Sequence, residues 1–156
     1  MKKLRILCVI ACLILMFSGC KAYQEHTTDL KAVVGEWVLD SKYVNTRSVV
    51  HNEAYLTIKD DYTGTFTEIV KQTTVDEEGN TVYVTEPGDG DPVYVTDTVS
   101  NTVKASSGGD GILTLTIGGT ATNYRFNVDE AAGNLHMWID EDGDEVHYVY
   151  INREVY

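Results

Sequence analysis

Cysteine is nearly absent from this chain of 156 residues, and its few copies stand close to the start. The three are Cys8, Cys12 and Cys20, so residues 21–156 contain none. This distribution excludes a disulfide or a cysteine metal site in the rest of the chain. An exported domain without disulfides depends on its packed core for stability. The length is that of a single domain with such a core.

Basic residues and proline are also scarce. Lys and Arg number 12 against 24 Asp and Glu, and the chain has two prolines. Removal of the N-terminal segment takes Lys2, Lys3 and Arg5 with it, which leaves nine basic residues against 24 acidic ones and a net charge of −15. This balance excludes nucleic acid as a partner, because phosphates attract positive charge. It also disfavours contact of the protein surface with an anionic membrane.

The first 19 residues have the order of a secretory signal peptide, with a basic start, an apolar run from Ile6 to Phe17, and small residues. The run is too short to form a typical transmembrane helix. Its end, "FSGC", resembles the lipobox of bacterial lipoproteins, with Phe17 where that motif usually has leucine. The resemblance implies that Cys20 becomes the N-terminus and carries lipid, palmitate included, which anchors the protein to a membrane. The alternative is an ordinary signal peptide cleaved nearby.

The sequence then divides into three parts: a lipoprotein signal peptide at 1–19, a lipidated cysteine and tether at 20–32, and a β-domain at 33–156. Within the tether, Thr27 or Thr28 is expected to cap one helical turn that Gly35 ends. Lys21 stands where an aspartate would be the familiar inner-membrane retention signal. The absence of aspartate there indicates the outer membrane of a cell with two membranes. The absence of an acidic run after Cys20, which would resemble a surface-export tag, indicates the face toward the periplasm.

From residue 33 onward, Val, Thr and Tyr dominate, and apolar residues alternate with polar ones. About nine strands follow one another through short turns, among them Gly118-Gly119 and Asp142-Gly143. "KASSGGDG", residues 104–111, is expected to be a connection. No segment offers a crossover helix. The pattern predicts an all-β fold, an up-and-down antiparallel β-barrel of about eight to ten strands. A two-sheet sandwich is the alternative.

The start of the first long strand, "VVGEWVLD", places Gly35 two residues before Trp37. This pair, with "YLTIKDDYTGTFTE" and the final "NLHMWIDEDGDEVHYVYINRE", resembles small bacterial lipocalin-like lipoproteins. The resemblance implies that Trp37 plugs the closed end of the barrel and that an arginine of the last strand, here Arg153, packs across it. An even number of strands would bring Arg153 close to Trp37, and nine strands would separate them. The alternative is a surface arginine.

A lipocalin-like barrel implies a small, largely apolar ligand. The side chains expected to face the interior and contact it are Trp37, Phe66, Leu115, Tyr124, Phe126, Met137, Tyr148 and Tyr150. The same residues would also fill a packed barrel that has no ligand. A protein-interaction or inhibitor module is therefore the alternative function, with an exposed apolar loop patch as its sign.

Catalytic and metal-binding patterns are weak. The sequence shows no nucleophile elbow, phosphate loop or catalytic cysteine, so no enzyme activity and no cofactor are predicted. The acidic turns "DEDGDE" and "EPGDGD" cluster oxygen ligands of the kind that calcium prefers, but "DEDGDE" places Gly143 one alternate position too early for a calcium loop. The alternative is that Asp and Gly stand there because they suit hairpin turns. His136 and His147 are expected to be neighbours on the outer face of the last hairpin, where two ligands alone fall short of a zinc site. They are interpreted as surface histidines.

Overall fold

The computed structural model describes residues 26–88, 91 and 93–154. The predicted signal peptide at 1–19 and Cys20 lie outside the described residues. A 3₁₀ turn, Leu30–Val33, lies between the first two strands. The strands are β1 His26–Thr27, β2 Gly35–Val44, β3 Arg47–Val49, β4 Glu53–Ile58, β5 Thr63–Lys71, β6 Thr73–Val75, β7 Thr81–Tyr83, β8 Thr96–Gly109, β9 Ile112–Ile117, β10 Thr120–Asp129, β11 Asn134–Glu141 and β12 Asp144–Asn152. None of the helical turns in this part of the chain has the length and hydrophobicity to cross a membrane.

Eight of these strands form a closed antiparallel barrel. In chain order they are β2, β4, β5, β8, β9, β10, β11 and β12; each pairs with the next, and β12 pairs with β2. Closure satisfies the edges that an open meander would leave unpaired. The short strands β1 and β3 add to the outside, on β10 and β2. The predicted up-and-down barrel is confirmed, and the two-sheet sandwich is excluded.

The barrel core follows the alternation seen in the sequence. Leu113 and Leu115 on β9, Phe126 and Val128 on β10, and Leu135 on β11 are buried, while the residues between them face outward. The turns at Gly118-Gly119 and Asp142-Gly143 both have positive φ, as tight hairpins require. The predicted inward faces of these strands are confirmed, because the side chains on one side of each strand are buried away from water.

Two stretches differ from the expectation. Thr81–Tyr83 forms a strand that pairs only with β6, so it is not a member of the barrel and the barrel has eight strands. Lys104 to Gly109, expected to be a connection, instead continues β8 and pairs with β9. That expectation was wrong because buried Ala105 maintains the inward face, and a bulge between Ser107 and Gly109 absorbs the small residues.

β6 and β7 belong to a ribbon that extends one end of the barrel. We use "ribbon" for residues 72–85 and 93–95. Its strands continue the β5–β8 pairing, since Gln72 N–H donates to the Val95 carbonyl and Val95 N–H donates to the Val84 carbonyl. Val93 and Val95 precede β8 and lie in the ribbon.

Trp37 lies at the opposite, closed end of the barrel. Its side chain is 2 % exposed, and its Nε1 donates a hydrogen bond to the Val33 carbonyl at 2.8 Å.

The 3₁₀ turn is capped by Asp29, whose carboxylate accepts from Lys31 N–H at 2.9 Å. The predicted caps, Thr27 and Thr28, were wrong, because the turn begins one residue after Asp29.

Gly35 begins β2 and does not end the helical turn. Its φ is +148°, a conformation that other residues rarely adopt. A Cβ at this position would lie 3.5 Å from Trp37 Nε1 and 3.3 Å from Asn152 Nδ2. The glycine of the Gly-x-Trp motif therefore leaves room beside the indole ring where the first and last strands meet.

Arg153 lies at the closed end, as an even number of strands requires. Its backbone N–H donates to the Glu36 carbonyl at 2.8 Å. Its guanidinium carbon lies 5.7 Å from the centre of the Tyr55 ring, and Nη1 is 4.0 Å from a Glu36 carboxylate oxygen. The cation–π contact of Arg153 is thus made with outward-facing Tyr55. The exposed ion pair between Arg153 and Glu36 contributes little to stability.

Candidate functional site: a chamber and its mouth inside the barrel

A chamber of about 170 Å³ lies inside the barrel. Its wall is apolar and aromatic and consists of Leu56, Phe66, Leu115, Ile117, Tyr124, Met137, Tyr148 and Tyr150. A dry apolar cavity of about 150 Å³ is large enough to bind benzene. The chamber therefore has room for one benzene-sized apolar group.

A wider mouth of about 480 Å³ adjoins the chamber. Phe66, Tyr148 and Tyr150 form part of the wall of both. The mouth adds polar groups, including Lys42 and Glu68, and Tyr83 from the ribbon. Small-molecule sites commonly measure about 300–1,000 Å³ and combine an apolar wall with a few polar groups. Chamber and mouth together have this composition.

A β-bulge turns Lys42 toward the interior. Leu39 pairs with Tyr150 while Ser41 pairs with Val149, so Asp40 is the extra residue on β2. Each inserted residue reverses the side that later residues face. Trp37 and Leu39 face inward before the bulge, and Lys42 faces inward after it, opposite Tyr148. Lys42 Nζ lies 5.1 Å from the centre of the Tyr148 ring.

Glu68 supplies the negative group of the mouth. It lies two residues after Phe66 on β5 and therefore faces the same side. Its Oε1 accepts a hydrogen bond from Asn52 Nδ2 at 2.8 Å. A cation and a carboxylate thus stand at the entrance, above a wall that is otherwise apolar.

Three tyrosines bring hydroxyl groups into this interior. Burial raises the pKa of Tyr150, and the neighbouring Tyr124, Tyr148 and Glu68 raise it further. Burial also raises the pKa of Tyr124 and of Tyr148. A buried hydroxyl normally has a hydrogen-bond partner, which water or a ligand group in the cavity can supply.

The structure brings most of the predicted ligand-binding residues together. Phe66, Leu115, Tyr124, Met137, Tyr148 and Tyr150 line the chamber. Trp37 and Phe126 are buried in the barrel core but lie outside the chamber wall. The sequence prediction missed Leu56 and Ile117, although both follow the alternation of their strands. It also missed Glu68, which faces the same side of β5 as Phe66. It missed Lys42, because the inward direction of that side chain depends on the bulge in β2.

A second feature lies on the outer face, where four rings stack across β2, β11 and β12. Trp138 stacks on His147 with ring centres 4.5 Å apart and on His136 at 5.7 Å, and Tyr43 stacks on the other side of His147 at 5.6 Å. His136 Nδ1 and His147 Nε2 are 3.0 Å apart and share a hydrogen bond. The predicted proximity of the two histidines is confirmed.

A groove of about 420 Å³ runs beside this stack and includes Asp40, Tyr43, Glu145 and both histidines in its wall. Glu145 is already engaged, since its Oε2 accepts from Arg125 Nη2 at 2.8 Å. Over residues 26–88, 91 and 93–154, no three or more His, Cys, Asp and Glu side chains are grouped to hold a metal ion.

No family model, curated protein or solved structure matches this chain. The class of this protein therefore rests on its fold and on the geometry of the candidate site. The chain is an all-β protein with a closed eight-stranded antiparallel barrel, an architecture compatible with a lipocalin-like fold.

Proposed function

We propose that this barrel binds a small, largely apolar ligand, without catalysis, as the exported part of a lipid-anchored envelope protein. The observation that carries the proposal is the apolar chamber of about 170 Å³ that adjoins a polar mouth. A packed barrel filled by its own side chains would have no such chamber.

The two cavities also suggest the form of the ligand. An apolar group of about the size of benzene occupies the chamber, and a polar part extends into the mouth between Lys42 and Glu68. Tyr150 lines both cavities, and its hydroxyl offers one hydrogen bond to the ligand. Burial of the apolar group supplies most of the affinity, and the polar groups fix its orientation.

The test uses fluorobenzene as a probe of the chamber and fluorine NMR of the purified full chain in detergent. We expect a saturable change in the fluorobenzene signal. Ile117→Phe fills the chamber and is expected to abolish that change. Thr116→Phe is the matched control, because it adds a ring to the outer face of the same strand and is expected to retain binding.

Native mass spectrometry of protein purified gently from its host provides the second readout. A bound molecule at near-equal stoichiometry, displaced by Ile117→Phe, would support the proposal and identify the ligand. An empty protein, together with an unchanged fluorobenzene signal, would refute it and leave a packed scaffold.

The proposed anchor is lipid on Cys20, on the face of the outer membrane toward the periplasm. Its support is the "FSGC" pattern and the restriction of cysteine to the first 20 residues. Growth with an alkyne analogue of palmitate should label the wild-type protein. Cys20→Ser should lose the label and leave the membrane fraction, whereas Cys12→Ser should retain both. Labelling that persists in Cys20→Ser would refute the anchor.

A protein-interaction role is the second candidate, and the ribbon favours it. Val75 and Tyr83 are 65 % and 57 % exposed, and Val82, Val93 and Tyr94 are exposed beside them. Tyr83 and Tyr94 pack edge to face at 5.6 Å, with Lys71 Nζ 3.9 Å from the centre of the Tyr94 ring. Exposed apolar side chains with a polar rim are typical of interaction surfaces. This candidate is preferred if the chamber proves empty.

A further inference from the structure

We propose that His136 and His147 bind one divalent transition-metal ion, Cu²⁺ most tightly, on the outer face of the barrel. Imidazole nitrogen suits copper, nickel and zinc, and copper has the highest affinity among the divalent ions of this series. The site is separate from the ligand chamber, because both side chains project from the outward face of their strands.

The separation of the two nitrogens fits a single ion. His136 Nδ1 and His147 Nε2 are 3.0 Å apart. A metal–nitrogen bond measures about 2.0–2.1 Å, so two ligands at a right angle are about 2.9 Å apart, and two at a tetrahedral angle about 3.3 Å. The observed distance lies between these values. An ion bound to both nitrogens would lie to one side of the line that joins them. Coordination therefore leaves the distance between the nitrogens nearly unchanged and requires each ring to turn its lone pair toward the ion.

The two rings are held in position before an ion arrives. His147 pairs with Trp138 across the β11–β12 hairpin, and His136 lies on the adjoining diagonal. Trp138 stacks on both rings, and Tyr43 holds the opposite side of His147. This packing keeps the two imidazoles beside each other before an ion binds, and so reduces the entropic cost of coordination.

The shared hydrogen bond also allows coordination without the release of a proton. In the shared hydrogen bond, one of the two facing nitrogens carries a hydrogen and the other a lone pair. When the first ring moves its hydrogen to its other nitrogen, both facing nitrogens present lone pairs. Each imidazole stays neutral, and no proton is released.

The adjoining groove leaves the remaining coordination positions open. Its volume of about 420 Å³ admits water, and Asp40 and Glu145 contribute carboxylates to its wall. Only two ligands come from the described residues, so the ion keeps positions for water or for an outside ligand. Catalytic metal sites likewise keep a position open for water or substrate, whereas structural sites are closed by protein ligands.

The test is a calorimetric titration of the full chain in detergent with CuCl₂, after chelator treatment, in a buffer that does not bind metals. We expect one ion per chain. His136→Phe and His147→Phe keep an aromatic ring in the stack and remove the nitrogen. Each is expected to weaken binding about tenfold or more, the scale that loss of a metal-site group produces.

His51→Ala is the matched control, because it removes an imidazole that lies away from the stack and bonds to the Asp40 carbonyl. It is expected to leave Cu²⁺ affinity unchanged. Nitrogen-edited NMR with ZnCl₂ should shift the signals of His136 and His147 and leave that of His51 in place. Equal Cu²⁺ affinity in wild type and in the double phenylalanine variant, with equal melting temperatures, would overturn the proposal.

Discussion

Trp37 Nε1 donates a hydrogen bond to the Val33 carbonyl at 2.8 Å, and this contact ties the 3₁₀ turn to the closed end of the barrel. Both residues are almost fully buried. The indole therefore has two structural roles: it fills the core and it satisfies a buried backbone carbonyl. The two roles can be separated by substitution.

Trp37→Phe should lower the free energy of unfolding by about 1–3 kcal/mol, because the buried Val33 carbonyl loses its partner. Trp37→Ala should lower it by about 3–5 kcal/mol, because a cavity is added. Urea denaturation followed by circular dichroism measures both. Trp138→Phe, on the outer face, is the control and should cost less than either. Equal losses for all three would contradict the assigned role of Trp37.

Gly64→Ala should be strongly destabilising. A Cβ at this position would lie 1.7 Å from the Thr57 carbonyl oxygen, so the β4–β5 pairing must shift to accommodate it. Gly88→Ala is the matched control, since a Cβ there has no neighbour within 4 Å. Thermal unfolding should show a large loss of melting temperature for the first and almost none for the second. Similar melting temperatures would refute the close approach at Gly64.

Tyr150 should make the fold sensitive to alkali. Burial raises its pKa above the ordinary 10.0, so the folded state keeps a proton that the unfolded state releases. Stability from this source is present below about pH 10 and falls as the pH rises past that value. Tyr150→Phe should therefore lose less stability than wild type between pH 8 and pH 11 in urea denaturation. Parallel losses in the two proteins would contradict the prediction.

The pair His136 and His147 should make the fold sensitive to acid. The pKa values of His136 and His147 are lowered from 6.5, chiefly by burial, while Asp129 and Glu145 oppose the shift and His26 adds to it for His136. The unfolded state therefore takes up protons first as the pH falls below about 6.5, and stability decreases. The double variant His136→Phe with His147→Phe should lose less stability between pH 7 and pH 5. A slope as steep as that of wild type would rule this source out.

The sequence was sufficient to predict most of the barrel, because alternation along each strand reports which side is dry. Leu113, Leu115, Phe126 and Val128 show this directly. Alternation failed at Asp40, where a single bulged residue reverses the face of Lys42. A bulge depends on how the first and last strands meet, which is a non-local property.

The candidate site was predictable in part for the same reason. Six of its wall residues lie on strands whose parity the sequence shows, and Glu68 could have been found from the parity of Phe66. The ribbon could not be separated from the barrel by pattern alone. Thr81–Tyr83 has the composition of a barrel strand, and only its pairing with β6 shows that it lies outside.

The even number of strands has a consequence for orientation. β2 begins and β12 ends beside Trp37, where Asn152 pairs with that residue, and β1 joins β10 at Asp129 on the same side. His26 and Glu154, the first and last described residues, thus lie at the closed end, while Lys42, Glu68 and the ribbon stand at the other. A fluorescent label placed beside either of these two residues would therefore leave the opening of the barrel unobstructed.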